Sequence, residues 1–332
     1  MEMYPFISII IPMYNEKLHV QECIDSILRN NYPSNRYEIL IIDGMSSDGS
    51  REIVQKHMYS DVHIELLNNP ERITPIAFNI GIKAAIGDLI CILSAHCYID
   101  KDFFVNAVKK LNTMPEIDCI GGPAISTSKS YFGNLVAFVT SSKFGTGSFF
   151  RYGSSDKYVD TVPFPIFRRD TFKKVGLYNE RLERNQDNEF NYRLRKNGGK
   201  IYFSSDIKAC VYVRSDFISF IKYNFRSGKW NYFTNRLCKH AFALRHFVPF
   251  SFVVVLLMLS VLTLFLEISR FLFISLIISY LITSFIASFS ISTRKGWKYY
   301  FILPWIFFSM HFSYGLGTLY SLLINWQPTN KH

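Results

Sequence analysis

Short apolar runs alternate with amphipathic stretches over the first two thirds of the chain. "ISIII" (7–11), "YEILIID" (37–43), "VHIELL" (62–67) and "DLICILS" (88–94) predict strands, and helix-like segments at 16–30, 50–59, 73–86 and 102–112 lie between them. The strand runs are apolar without alternation, the mark of strands buried on both faces. Their alternation with helices predicts an α/β fold, a mostly parallel sheet covered on both sides. "DGMSSDGS" supplies glycines after the second strand, and Asp48 or Ser50 is suited to cap the helix that follows. The pattern changes near residue 247. "FVPFSFVVVLLMLSVLTLFLEI" (247–268), "FLFISLIISYLITSFIASFSI" (271–291) and "YYFILPWIFFSMHFSYGLGTLYSLLI" (299–324) are almost free of charge. Each reaches the roughly 20 apolar residues that a spanning helix needs. The expected organisation is a first domain over 1–215, a basic aromatic segment over 216–246, three transmembrane helices within 247–325, and a short tail over 326–332.

Composition sharpens this picture. The chain has 332 residues, 49% of them hydrophobic, with 31 Phe and 20 Tyr and a formal net charge of +11. Such a basic balance suits nucleic acid, an anionic membrane surface or phosphorylated substrates. The stretch from Asp216 to Phe247 interleaves Lys222, Arg226, Lys229, Arg236 and Lys239 with Phe, Tyr and Trp. Beside a membrane span this is the composition of a helix in the headgroup layer, so a membrane partner is expected and no nucleic acid. Loop charge sets the orientation. Lys239 and Arg245 precede the first apolar run, and Arg294, Lys295 and Lys298 lie between the second and third. Those loops and the first domain are expected in the cytoplasm of a multi-pass membrane protein, with the C-terminus outside. The six cysteines show no Cys-x-x-Cys pair and read as reduced core thiols. The N-terminal run holds Glu2 and Pro12 and does not read as a signal peptide.

Ligands of an open parallel sheet bind beyond the carboxyl ends of its strands. The first strand ends in Pro12, Met13, Tyr14, Asn15 and Glu16, the second in Asp43, and the fourth in Ser94 and His96. No G-x-G-x-x-G follows a strand and no P-loop motif occurs. Ser94-Ala95-His96 has three readings: a metal site, a ligand-binding turn, or an ordinary strand end.

"ISIIIPMYNE", "EILIIDGMSSDGS", "RITPIAFNIGIKAAIGDLICILSAH" and "NQDNEFNYRLRKNGGKI" occur in the order seen in family 2 glycosyltransferases. The chain resembles that family, and its succinoglycan-type branch in particular, over residues 5–230. The resemblance implies a GT-A nucleotide-sugar-binding domain. Asp43 matches the acid that accepts a hydrogen bond from the uracil ring. Pro12, Tyr14 and Glu16 match the first loop, which shelters the nucleotide, and Arg72 and Ser94 are further nucleotide-sugar candidates. The family usually carries Asp-x-Asp at the fourth strand to hold Mg²⁺ or Mn²⁺, whereas this chain has Ser94-Ala95-His96. His96 is the metal candidate, with imidazole favouring Mn²⁺. Donation to the diphosphate and a plain strand end remain its other readings. Asp100 is close enough in sequence to replace the missing carboxylate.

Asp187 matches the base that takes the acceptor's proton in an inverting transfer. Gln186 stands where the family commonly has an acid, and Glu189 is the rival carboxylate. "RSGKW" is a partial match to the Q-x-x-R-W motif of processive members, so Arg226, Lys229 and Trp230 are assigned to the acceptor and membrane interface, and transfer of a single sugar is expected. The resemblance thus implies a membrane-anchored hexosyltransferase of cell-surface polysaccharide synthesis. It would use a nucleotide sugar, expected as a UDP-sugar, and a lipid-linked saccharide acceptor. The alternatives are a polyprenyl-phosphate sugar synthase and a non-catalytic membrane subunit of an assembly complex.

Overall fold

The computed structural model describes residues 4–328 and divides into two compact units. The first runs to Ile125 and resumes over Gly153–Tyr212. It opens with β1 (Ile7–Met13), α1 (Val20–Leu28), β2 (Tyr37–Asp43), α2 (Ser50–His57), β3 (His63–Asn68), α3 (Thr74–Ala84) and β4 (Leu89–Ile92). β5 (Cys97–Ile99), α4 (Phe103–Thr113), β6 (Cys119–Gly121) and β7 (Ala124–Thr127) follow. The chain then leaves for a segment containing α5 (Tyr131–Thr140). It returns with β8 (Lys157–Tyr158), β9 (Ile166–Arg168), α6 (Asp170–Val175), α7 (Gln186–Lys196), β10 (Ile201–Phe203) and β11 (Ala209–Tyr212).

The main sheet has eight strands in the order β3-β2-β1-β4-β9-β6-β10-β8. β3, β2, β1 and β4 run parallel, as their unbroken apolar runs predict. Ile7, Ile9 and Ile11 join the core that contains Val20 and Ile24 of α1. Ile10, Leu40 and Ile42, of opposite parity, are also fully buried, so both faces are covered. The expectation of a mostly parallel sheet needs correction beyond β4. β9 enters antiparallel between β4 and β6, and β8 pairs antiparallel with β10, which makes the sheet mixed. These strands are two or three residues long, too short to show a period. A separate three-stranded sheet has the order β5-β11-β7, with β5 and β11 antiparallel.

The second unit comprises Ser126–Tyr152 and the chain from Val213 onward. It holds α5, α8 (Phe217–Leu237), α9 (Val248–Leu262), α10 (Glu267–Lys295) and α11 (Leu303–Leu323). Asp216 caps α8 by accepting the Ser219 N–H at 2.8 Å. α8 and α11 cross where both lack side chains. A Cβ on Gly228 would lie 1.9 Å from the Tyr314 carbonyl oxygen, and one on Gly317 would lie 2.1 Å from that of Phe225. Thr318 Oγ1 donates to the Gly228 carbonyl across the same crossing at 2.9 Å. Such close approach through small residues is the packing used by helices that lack a hydrophobic drive between them.

Of the three helices expected to span a membrane, one has the length and composition for it. Among the described residues only α10, 29 residues with a mean hydropathy of 2.2 over its most apolar stretch, is long and apolar enough to cross a membrane. α9 has 15 residues, and at about 1.5 Å per residue it falls short of a hydrocarbon core of about 30 Å. α11 has 21 residues, but His311, Ser313, Gly315, Gly317, Thr318 and Ser321 are buried along it and dilute its hydropathy. The end of the expected tail, 329–332, lies outside the described residues.

Ser8, fully buried on β1, ties three segments together. Its hydroxyl donates to Glu38 Oε1 at 2.5 Å and accepts the Gly87 N–H at 2.8 Å, while the Ile86 N–H donates to the same carboxylate at 2.9 Å. Ser8→Ala would strand a buried N–H and one acceptor position. It should lower the unfolding free energy by about 1–3 kcal/mol without changing the fold. Denaturant titration of wild type and variant measures this, and an unchanged midpoint would remove Ser8 from that role.

Candidate active site

A cavity of about 400 Å³ opens at the carboxyl edge of β1, β2 and β4. That volume is in the range of sites that enclose a small ligand. Pro12 lines it from the end of β1, Tyr14 and Glu16 from the loop beyond, Arg72 from the loop before α3, and Ser94 and His96 from the turn after β4. Asp187, in the first turn of α7, closes the other side with Gln186 and Asn191. Seven residues far apart in sequence and singled out from it therefore share one wall-to-wall space.

The first two loops are zipped together. Asn15 N–H donates to Ser46 Oγ at 2.9 Å, Ser47 N–H to Asn15 Oδ1 at 2.9 Å, Glu16 N–H to Ser50 Oγ at 2.8 Å and Lys17 N–H to Asp48 Oδ2 at 3.0 Å. This leaves Tyr14 48% exposed toward the cavity, with the Arg72 guanidinium 5.3 Å from its ring centroid. That distance is within the range of a cation–π contact.

Asp43 is not part of the cavity wall. Its side chain is fully buried, pairs with the Arg51 guanidinium, and accepts from Ser46 Oγ at 2.5 Å and from the Ser46 N–H at 3.1 and 3.2 Å. The carboxylate that the family resemblance matches to the uracil-binding acid is here engaged within its own loop. A buried carboxylate must be paired, and here the pairing is internal. Asp43 sets the loop beneath the ligand space.

Ser94 and His96 do not simply end a strand. His96 Nδ1 lies 2.9 Å from Glu16 Oε1, and Ser94 Oγ lies 3.0 and 3.1 Å from the two ring nitrogens. Among the described residues no group of three His, Cys, Asp or Glu side chains is placed to hold a metal. Asp100 accepts the Asp102 N–H at 3.1 Å and is outside the cavity wall, so it does not replace the missing carboxylate. The donor set is one imidazole with a carboxylate behind it. This fits a divalent ion that takes most of its ligands from phosphate and water, since a ligating histidine usually gives its other ring N–H to a carboxylate.

Asp187 is exposed at the cavity wall, where the surrounding chain displaces part of its water. This partial desolvation pushes its carboxyl above the usual range, opposed by the N–H groups of Asn188 and of Asp187 itself. Asn188 donates to Oδ1 at 2.9 Å. Glu189, the rival, turns away and binds Arg193 Nε and Nη2 at 2.8 and 3.0 Å. Asn185, with φ of 62°, begins the turn into α7.

Tyr178, Asn79 and Asn191 escape sequence reasoning. Tyr178 lines the cavity and stacks on Phe190 of α7, with ring centroids 4.3 Å apart. Asn79, buried on α3, accepts the Tyr178 N–H at 2.9 Å and donates to the Tyr178 carbonyl at 3.0 Å and to Glu180 Oε1 at 2.8 Å. A polar residue on the buried face of a helix was the one available signal. In unit two, Arg226 is exposed and the Lys229 ammonium lies 4.0 Å from the Trp326 ring centroid. Trp230 is 3% exposed and packs on Phe233 and Trp326, so it offers no face to a headgroup layer.

A family model described as glycosyl transferase family 2 matches residues 8–176. A dolichyl N-acetyl-α-D-glucosaminyl phosphate 3-β-D-2,3-diacetamido-2,3-dideoxy-β-D-glucuronosyltransferase of Methanococcus voltae is 30% identical over 93% of this chain and 95% of its own length. The succinoglycan biosynthesis protein ExoA of Rhizobium meliloti is 28% identical over 68% of this chain and 66% of its own. Among solved structures, a mannosyltransferase of Pyrobaculum calidifontis in complex with GDP-Man and Mn²⁺ superposes with a TM-score of 0.65. It is 16% identical and covers 98% of this chain and 89% of that one. At that identity the likeness speaks for the fold.

The raised pKa of Asp187 carries a stability consequence. A carboxyl raised above its unfolded value of about 3.9 adds stability only while protonated, and that contribution is lost as pH rises through the folded pKa. Asp187→Asn should therefore melt at the same temperature as wild type or higher at neutral pH. The difference should shrink as pH falls toward about 4. Melting curves over this range test it, and a lower melting temperature for the variant at neutral pH would refute it.

Proposed function

The chain belongs to glycosyl transferase family 2, and from that membership we propose that it is a membrane-anchored, inverting transferase that moves one sugar from a nucleotide donor, a UDP-sugar, to a lipid-linked saccharide. The observation that carries this reading is the meeting of Asp187 with Tyr14, Arg72, Ser94 and His96 around one cavity. The nucleotide lies along the β1 and β4 loops. Tyr14 offers a ring to the base and Arg72 a guanidinium to the phosphates. Asp187 accepts the proton of the acceptor hydroxyl as its oxygen bonds to the anomeric carbon and the bond to the departing nucleoside diphosphate breaks. Its raised pKa makes it a better base than an unperturbed aspartate.

His96 would hold a divalent ion, with Glu16 fixing the ring through Nδ1. When bound, the ion neutralises charge on the leaving diphosphate. A second reading keeps His96 as a donor to the diphosphate without metal, and the Glu16 contact serves that role equally well. The dolichyl-linked substrate of the Methanococcus relative supports a lipid-linked acceptor. α10 would anchor the chain, with Arg294, Lys295 and Lys298 at its cytoplasmic end and the chemistry at the cytoplasmic face. Arg226 and Lys229 would lie at the headgroup level. The apolar residues of 247–325 are proposed as the membrane part of the protein.

Asp187→Asn should keep donor binding and lower turnover by about a hundredfold or more. Near-normal transfer by the variant would remove Asp187 as the base, and no transfer by wild type from any nucleotide sugar would favour a non-catalytic subunit. A companion measurement separates the two roles of His96. A metal role predicts loss of transfer in EDTA, recovery with Mn²⁺ above Mg²⁺, and loss of that preference in His96→Gln. Full transfer in EDTA excludes it.

A further inference from the structure

The eight-stranded sheet has a second edge, where its parallel strands begin. A cavity of about 590 Å³ opens there, lined by residues of the first unit alone. Its volume is in the range of sites that enclose a small ligand. β4 reaches both cavities. Leu89 at its start lines this one, and Ile92 at its end lines the one at the carboxyl edge. At the rise of an extended strand, about 10 Å of backbone separates the two residues.

The antiparallel entry of β9 brings two consecutive arginines to this edge. Arg168 ends β9 and pairs with Leu89, the first residue of β4. Neighbours on a strand point to opposite faces. Arg169 escapes that rule because its φ of −53° and ψ of −37° have already left the strand, and both side chains line the cavity. Each is half-buried and held by backbone carbonyls. Arg168 donates through Nε to the Ile117 carbonyl at 2.8 Å and through Nη2 to that of Leu111 at 2.7 Å. Arg169 donates through Nε to the Gly87 carbonyl and through Nη2 to that of Ala85. Among the described residues Nη1 of neither arginine makes a hydrogen bond. Arg36 and Lys173 bring further cations to the rim. The carboxylates there are Asp170, which takes Lys173 at 2.8 Å, and Asp88, which accepts the Phe6 N–H at 3.0 Å. Among the described residues none of the three guanidiniums forms an ion pair.

We infer that this cavity is an anion site that takes the phosphate groups of a small phosphorylated molecule, with Arg168, Arg169 and Arg36 as its donors. The carbonyl bonds fix two adjacent guanidinium forks before any ligand arrives, so little side-chain freedom is lost on binding. Their unused Nη1 groups suit phosphate oxygens, which accept charge-assisted hydrogen bonds from planar forks. A half-buried guanidinium that meets only neutral carbonyls gains from the arrival of an anion. A metal cation does not fit, because Arg169 already occupies the Gly87 and Ala85 carbonyls and the cations outnumber the carboxylates. A lipid headgroup carries the same phosphate chemistry, but a cavity walled by the start of the sheet suits a soluble molecule. The site is separate from the carboxyl-edge cavity and does not rest on the proposed transfer reaction.

The test measures pyrophosphate binding by the full chain in phosphatidylcholine nanodiscs, in EDTA, with chloride at equal ionic strength as control. Wild type should bind pyrophosphate above that control. Arg169→Gln should weaken binding about tenfold or more, the effect of losing charge-assisted hydrogen bonds. Should that variant fail to fold, Arg36→Gln combined with Lys173→Gln makes the same measurement, since both side chains are exposed. Lys56→Gln removes an exposed cation of α2 outside the cavity and should leave binding unchanged. Arg72→Gln, in the carboxyl-edge cavity, should keep it too. Asp187→Asn should bind as wild type does, so a failed transfer reaction leaves this result standing. Loss in Arg72→Gln alone would put the pyrophosphate in the other cavity, and displacement by phosphatidylglycerol added to the disc would give the site to a headgroup. Either result would overturn the proposal, as would no binding by wild type, equal loss in Lys56→Gln, or full binding once the cavity's cations are removed.

Discussion

A fully buried aspartate at the end of β2 sets the geometry on which the cavity depends. Asp43 cannot be solvated, so it takes Arg51 and Ser46 as partners. Ser46 in turn accepts the Asn15 N–H, which fixes the loop that carries Tyr14 and Glu16. The Asp43 carbonyl accepts the Asn69 N–H at 2.7 Å, and the Asn69 carbonyl accepts the Arg72 N–H at 3.1 Å. One buried charge and its own carbonyl therefore reach, through two short chains of hydrogen bonds, both the ring and the guanidinium that face the ligand. The residue that the family resemblance matches to the uracil-binding acid thus also orders its neighbours.

The opposite wall is held by a different device. Asn79 spends its amide on the backbone of Tyr178, and Tyr178 stacks on Phe190, three residues along α7 from Asp187. The catalytic candidate thus sits on a helix whose start is pinned to α3, an element that packs on β1 and β2. Rigid elements on both sides hold a carboxylate in partly desolvated space, where a solvated loop would leave it an ordinary acid.

The second unit follows other rules. Its helices approach through glycine, serine and threonine, and its charge is nearly all of one sign. Small residues suit packing in which apolar surroundings give no reward for burial, and unbalanced cations suit a surface that supplies the anions. The first unit differs in charge, since its acids and bases nearly balance.

Hydrophobic runs alone determined β1 to β4 and the helices between them, because a strand buried on both faces leaves an unbroken apolar signal. Family-ordered motifs picked out the cavity residues from Pro12 to Asp187 for the same local reason, that each ends a strand or starts a helix. The three- and two-residue strands β8, β9 and β10 were illegible, since pairing partners and not periodicity define them. Apolar composition also fails to separate α9 and α11 from α10. It registers Phe and Leu in α9 and α11 but not the length of one or the buried small residues of the other. The Glu16–His96 contact and the Asn79–Tyr178 pairing join residues 80 and 99 positions apart. Such contacts depend on how the chain turns between them, and only the tertiary structure decides that.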